Sequence, residues 1–110
     1  MVIPQGTIIL VDFDPTLGHE QKGRRPALVI SNETFLKVTK GLVLALPITS
    51  SIRDGYPLHL VLDERTKTQG AMMMEQAKTL DTKARNPIIL EQLPEDLLKK
   101  VLKYFKLILE

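Results

Sequence analysis

The chain has no cysteine. That excludes disulfide staples, thiolate zinc sites and a cysteine nucleophile. Only two histidines occur, His19 and His59, far apart in sequence, which argues against a zinc site built on imidazole. Aromatic residues make up 5%, too few for an extended base-stacking surface. No apolar run approaches the roughly 20 residues that span a bilayer. The start, Met1-Val2-Ile3-Pro4-Gln5-Gly6, lacks the basic and apolar regions of a secretory signal. The expected location is therefore the cytoplasm. Asp12 and Asp14 are spaced like calcium ligands, but no EF-hand loop follows. There is no nucleophile elbow for a serine hydrolase and no Gly-rich loop that would cradle a phosphate.

What is present reads as one globular domain spanning 1–110. Its 110 residues are 44% hydrophobic and 25% charged, a normal balance for a single folded unit. The net charge of +2 permits a polyanionic partner without requiring one. A core this small gains from burying more surface in an oligomer.

Short strands broken by turns fill the first ninety residues. Strands are expected at Gly6 to Asp12, Arg25 to Ser31, Leu42 to Thr49, Pro57 to Leu62 and Asn86 to Leu90, with one bent or two short strands in Gly70 to Thr79. Pro47 marks an edge or a bulge. This spacing predicts a small antiparallel barrel. From Pro94 the period changes. Leu97, Leu98, Val101, Leu102, Phe105, Ile108 and Leu109 recur three and four apart, as on a helix. Pro94 suits the first helical position, and Glu95 and Asp96 suit its positive end. The apolar stripe is wider than one packed face needs. It fits either a well-buried helix or one that also faces a second subunit. In Met72-Met73-Met74, alternation along a strand makes core filling the expected role.

The segment from Phe13 to Arg24 is long for a connection in a compact domain, and such loops are usually functional or disordered. It closes with Glu20, Lys22, Arg24 and Arg25. Arg25 precedes Pro26, whose ring drives its predecessor into an extended backbone. A guanidinium fixed at a strand mouth can stabilise charge developing on a phosphate, and a nearby carboxylate can take a proton from a hydroxyl. Taken alone, these residues read first as a solvated loop with a weak Glu20–Arg25 surface pair. His59 alternates with Leu58 and Leu60 and is expected on the polar surface.

Several blocks resemble one family. They are Gly6-Thr7-Ile8-Ile9, Val11-Asp12-Phe13-Asp14-Pro15, Gly18-His19-Glu20-Gln21 and Gly23-Arg24-Arg25-Pro26-Ala27-Leu28-Val29, followed by Pro47-Ile48-Thr49-Ser50, Gly55-Tyr56-Pro57 and Glu75-Gln76-Ala77-Lys78-Thr79-Leu80-Asp81. In this order they are similar to the MazF/PemK toxins of type II toxin–antitoxin systems. The first blocks are the most specific, and the terminal helix matches only in character. The sequence departs from the family at Thr82-Lys83-Ala84-Arg85, where a tryptophan is often found.

The resemblance implies a mainly β (α+β) fold: a small SH3-like antiparallel barrel, MazF/CcdB-like, with a C-terminal α-helix. It implies a homodimer and a sequence-specific endoribonuclease that cuts single-stranded RNA (mRNA) without metal or cofactor. In that chemistry the ribose 2′-hydroxyl attacks the adjacent phosphate, leaving a 2′,3′-cyclic phosphate and a 5′-hydroxyl. It also implies a cognate antitoxin, MazE-like, with a flexible acidic segment. Carried over, Glu20 matches the proposed general base, Arg25 the acid or transition-state stabiliser, and Thr49 a hydroxyl near the scissile phosphate. A carboxylate beside Arg25 is a weakened base, which leaves two roles for Glu20: positioning the hydroxyl, or gaining basicity once RNA displaces water. His19 is the alternative base, ranked below Glu20 because no strand aspartate accompanies it. RNA contacts are expected from His19, Gln21, Lys22 and Arg24 in the loop, from Ser50 and Arg53 after Thr49, and from Lys78 and Arg85. Singly, each of these cations also reads as solvated surface charge. The competing reading on the same architecture is a CcdB-like toxin that binds a protein target such as gyrase. A third is an RNA-binding barrel without activity.

Overall fold

Residues 1–13 and 24–110 are described by the structure, a computed structural model. Thr7–Asp12 (β1), rich in β-branched residues, and Arg24–Val29 (β2) are antiparallel neighbours, with Ile8 opposite Leu28 and Val11 opposite Arg25. The next strand, Leu42–Thr49 (β3), pairs with β2 through Ala27↔Pro47, Leu28↔Leu46 and Val29↔Ala45. On its far side β3 changes partner. Leu42 to Ala45 pair with Lys78–Asp81 (β6), whereas Ile48 and Thr49 pair with Ala71–Met73 (β5). Strand β4, His59–Val61, lies outside β5, and β7, Ile88–Gln92, lies outside β1.

Among the described residues these seven strands form one antiparallel sheet, ordered β4-β5-β3-β2-β1-β7 with β6 beside β3. The ladder does not close on itself: β4 and β7 are its ends. The expected mainly β fold with a C-terminal helix is the one that forms. The stretch from Gly70 to Thr79 resolves into two short strands with a 3₁₀ turn, Met74–Gln76, between them.

Pro47 is neither at an edge nor in a bulge. It is buried in the interior strand β3. It stands between the stretch of β3 that pairs with β6 and the stretch that pairs with β5, a gap where a missing N–H is tolerated.

Two short helices were not evident from periodicity. Glu33–Thr39 (α1) is capped by Asn32, whose side chain accepts from Phe35 N at 2.9 Å, and it ends at Lys40 in the left-handed region, φ 61. Only Leu36 of α1 is buried, so its apolar pattern carries no period. Thr82–Arg85 (α2) is capped by Asp81. The long helix Glu95–Leu109 (α3) follows Pro94 as expected.

The sheet has an apolar core on each face. On one, Ile8, Leu28, Leu46, Ile48, Met72 and Met74 meet Leu97 and Val101 of α3. Each fully buried aliphatic side chain there contributes about 1.5–3 kcal/mol. Met72 and Met74 thus fill the core, with Met73 between them half-buried. On the other face, Ile9, Val11, Ala27, Val29, Val43, Ala45 and Leu80 meet Ile3 and Leu36. The wide stripe of α3 is only partly used. Leu98, Leu102 and Phe105 are half-buried, while Leu107, Ile108 and Leu109 stay exposed.

Candidate active site

Pro26 stands opposite Leu10 of β1, and its ring holds Arg25 extended at the start of β2. The Arg25 side chain is exposed. Ala27 is level with Pro47 of β3. Two residues further along each strand, the same register makes Arg25 level with Thr49. Opposed residues, and residues two apart, share a face of a sheet. Arg25 and Thr49 therefore lie on one face of neighbouring strands. Arg24, one step away, is directed to the opposite face and is half-buried.

The half-buried Thr49 Oγ1 accepts from Ser51 N at 3.0 Å. This turn fixes the hydroxyl oxygen and leaves its proton free to donate. Ser50 is exposed beside it. Gly70 packs against the Thr49 backbone at φ +126, and a Cβ there would collide with the Thr49 carbonyl oxygen. The Gly70 carbonyl meanwhile accepts from Leu62 N at 2.8 Å. Gly70→Ala is therefore expected to destabilise the protein by more than the ~1–2 kcal/mol of left-handed strain alone. Thermal unfolding checks this, and an unchanged midpoint would contradict the packing at Thr49.

Lys78 is level with Ala45, which is level with Val29, so it shares the face of Arg25 and Thr49. Its Nζ lies 5.8 Å from the centre of the Phe13 ring. Arg25 and Thr49 occupy the end of this face farthest from α1, a suitable field for a phosphate, while Lys78 is level with Ala45, four residues back along β3 from Thr49. Arg85 is already engaged: its Nη1 donates to the Asp12 carbonyl at 2.6 Å, tying α2 to the end of β1. Of the expected site residues, His19, Glu20, Gln21 and Lys22 lie outside the described residues. Among the described residues no three His, Asp or Glu side chains gather as a metal site would need.

Arg53 lies in the loop after Thr49, with its guanidinium 5.1 Å above the Tyr56 ring. Tyr56 in turn meets His59 edge-on at 4.6 Å. His59 corrects its sequence expectation: its side chain is only 5% exposed, and its Nε2–H donates to Glu75 Oε2 at 3.0 Å. The alternation along β4 is sound, but the polar side of this strand is roofed by Tyr56 and the 3₁₀ turn. His59 Nδ1 is buried and has no partner among the described residues, an arrangement that costs of order 1–3 kcal/mol. Burial pushes the Glu75 carboxyl up. The hydrogen bonds from His59 and the backbone outweigh it, together with the charges of His59 and Arg53, and hold the carboxyl below its usual range. The sequence signal for this cluster was the pairing of His59 with an acid sixteen residues on, invisible without the β4–β5 register.

Comparison with known proteins places these features in context. The family model for PemK-like, MazF-like toxins of type II toxin–antitoxin systems matches residues 4–109. The endoribonuclease PemK of Escherichia coli is 37% identical over 102 residues, covering 89% of this chain and 75% of that protein. The endoribonuclease toxin MazF of Escherichia coli K12 is 40% identical over 80 residues, 73% of this chain and 69% of its own. A crystal structure of MazF from Deinococcus radiodurans superposes with a TM-score of 0.83 at 35% identity, over 99% of this chain and 97% of that one. A MazE–MazF complex from the same organism matches at 0.82 and 30% identity, over 99% and 96%.

Proposed function

Because this chain belongs to the PemK-like, MazF-like toxins of type II toxin–antitoxin systems, and its relatives are endoribonucleases, we propose that it cuts single-stranded RNA at short specific sequences by metal-independent transesterification. The observation that carries the chemistry is the shared face of Arg25 and Thr49 on adjacent strands, with Lys78 on the same side. A phosphate set between Arg25 and Thr49 meets a guanidinium and a hydroxyl donor, and Lys78 extends the positive field along the same face.

In the proposed reaction Glu20 takes the proton of the ribose 2′-hydroxyl. The O2′–P bond forms as the P–O5′ bond breaks, the 5′-oxygen leaves as a hydroxyl by taking a proton from solvent water, and Glu20 returns its proton to solvent. Arg25 neutralises the charge that grows on the non-bridging oxygens, and Thr49 donates to one of them. Ser50 and Arg53, which follow Thr49, flank the path of the RNA, and His19, Gln21 and Lys22 extend it from the loop; Arg24, on the opposite face, and Arg85, bonded to the Asp12 carbonyl, stand off this path.

The same reading makes the chain a cytoplasmic homodimer, supported by the uncovered apolar end of α3. It also gives it an antitoxin partner with an acidic segment, supported by the MazE complexes among its structural relatives.

The decisive experiment is incubation of the purified protein with a defined RNA in EDTA, followed by end-group analysis. Full activity with 2′,3′-cyclic phosphate and 5′-hydroxyl ends is expected. Loss of cleavage in EDTA, or 5′-phosphate ends, would overturn the proposal.

A further inference from the structure

Beyond the Arg25–Thr49 face, a groove of about 650 Å³ runs between the β3–β4 loop, β4 and the last turns of α3. His59 lies in its wall. Two chains of contact meet at this ring. One runs through Tyr56 to Arg53, in the loop that begins after Thr49. The other runs through Glu75 into the 3₁₀ turn Met74–Gln76, two residues before Lys78. The turn is anchored just ahead of β4 by Met74 N donating to the Leu58 carbonyl at 3.0 Å.

A buried imidazole whose Nδ1 has no partner among the described residues is a poor choice if only packing is needed, since an aromatic hydrocarbon fills the space without that penalty. The Nε2–H bond to Glu75 is the feature that only histidine supplies here. Glu75 also feels the charge of Arg53, so the two chains are electrostatically joined as well.

We infer that His59 is a positioning residue. By holding Tyr56 on one side and Glu75 on the other, it fixes the Arg53 loop and the Lys78 segment relative to each other, and so sets the width of the RNA-binding track. The inference rests on the reading of the chain as a ribonuclease.

The test compares His59→Phe, which keeps the ring volume and the Tyr56 contact, with Glu75→Leu, which keeps most of the side-chain volume and has no acceptor for the His59 Nε2–H. Each is expected to raise KM for RNA about tenfold, as loss of one charge-assisted hydrogen bond allows, with kcat little changed. His59→Gln, which retains a donor, should restore part of the loss. The double variant should be no worse than either single one, because both remove the same link. Amide hydrogen exchange gives a readout independent of activity: residues 53–56 and 75–78 should exchange faster in both variants. If the wild-type protein cuts no RNA, the ribonuclease reading fails, and the exchange data still decide the positional link. Unchanged exchange in folded variants, or wild-type KM in both, would overturn the inference.

Discussion

Replacing Arg25 by alanine is expected to lower RNA cleavage by about 10²–10³, the effect of removing one pre-aligned electrostatic donor from a transition state. The fold should survive. Arg25 is exposed, and its contribution to β2 is a backbone position opposite Val11, which alanine preserves. Circular dichroism and thermal unfolding should therefore match the wild type while activity collapses. Arg25→Lys separates charge from shape. An ammonium keeps the positive field but loses the planar fork that holds two phosphate oxygens, so its activity should fall between the two. Near-normal cleavage by a folded Arg25→Ala protein would remove Arg25 from the site and leave Thr49 without its partner.

The legibility of this site in the sequence follows from which interactions are local. Arg25-Pro26 is a local constraint, and the extended backbone it predicts is found at the head of β2. The seven-fold recurrence of apolar residues after Pro94 is local too, and α3 forms there. The alignment of Arg25 with Thr49 is not local. It depends on the β2–β3 register, fixed by Ala27↔Pro47, and only the family resemblance suggested it beforehand. His59 shows the opposite failure. Its alternation in β4 was correct, yet its exposure is set by Tyr56 and by Glu75 across the sheet, which periodicity does not report. The helix α1 was missed because it buries a single residue, Leu36; its signal was the Asn32 cap, easily read as a turn. Pro47 was misjudged because the rule confining proline to edges assumes that each strand keeps one partner along its length. β3 changes partner beside it.

A substrate carrying a single 2′-deoxyribose at the cleaved position should bind and resist cutting altogether. If the internal hydroxyl is the nucleophile, its removal deletes a reactant, and no arrangement of donors compensates for that. The loss should therefore exceed that of Arg25→Ala, which removes stabilisation but leaves the reactants in place. Thr49→Ala should be milder than either. One hydrogen bond to a charged oxygen, worth about 1.5 kcal/mol, corresponds to roughly tenfold in rate. This ordering discriminates more sharply than any one value. A site that used water as nucleophile would cut the deoxy substrate at close to the normal rate, yet still depend on Arg25 to neutralise the phosphate. The deoxy substrate should also compete with RNA for the protein, because the phosphate contacts of Arg25 and Lys78 do not involve the missing hydroxyl. Binding without cleavage would locate the chemistry in the ribose. Cleavage of the deoxy substrate would leave the Arg25–Thr49 face as a phosphate-binding surface serving a different reaction.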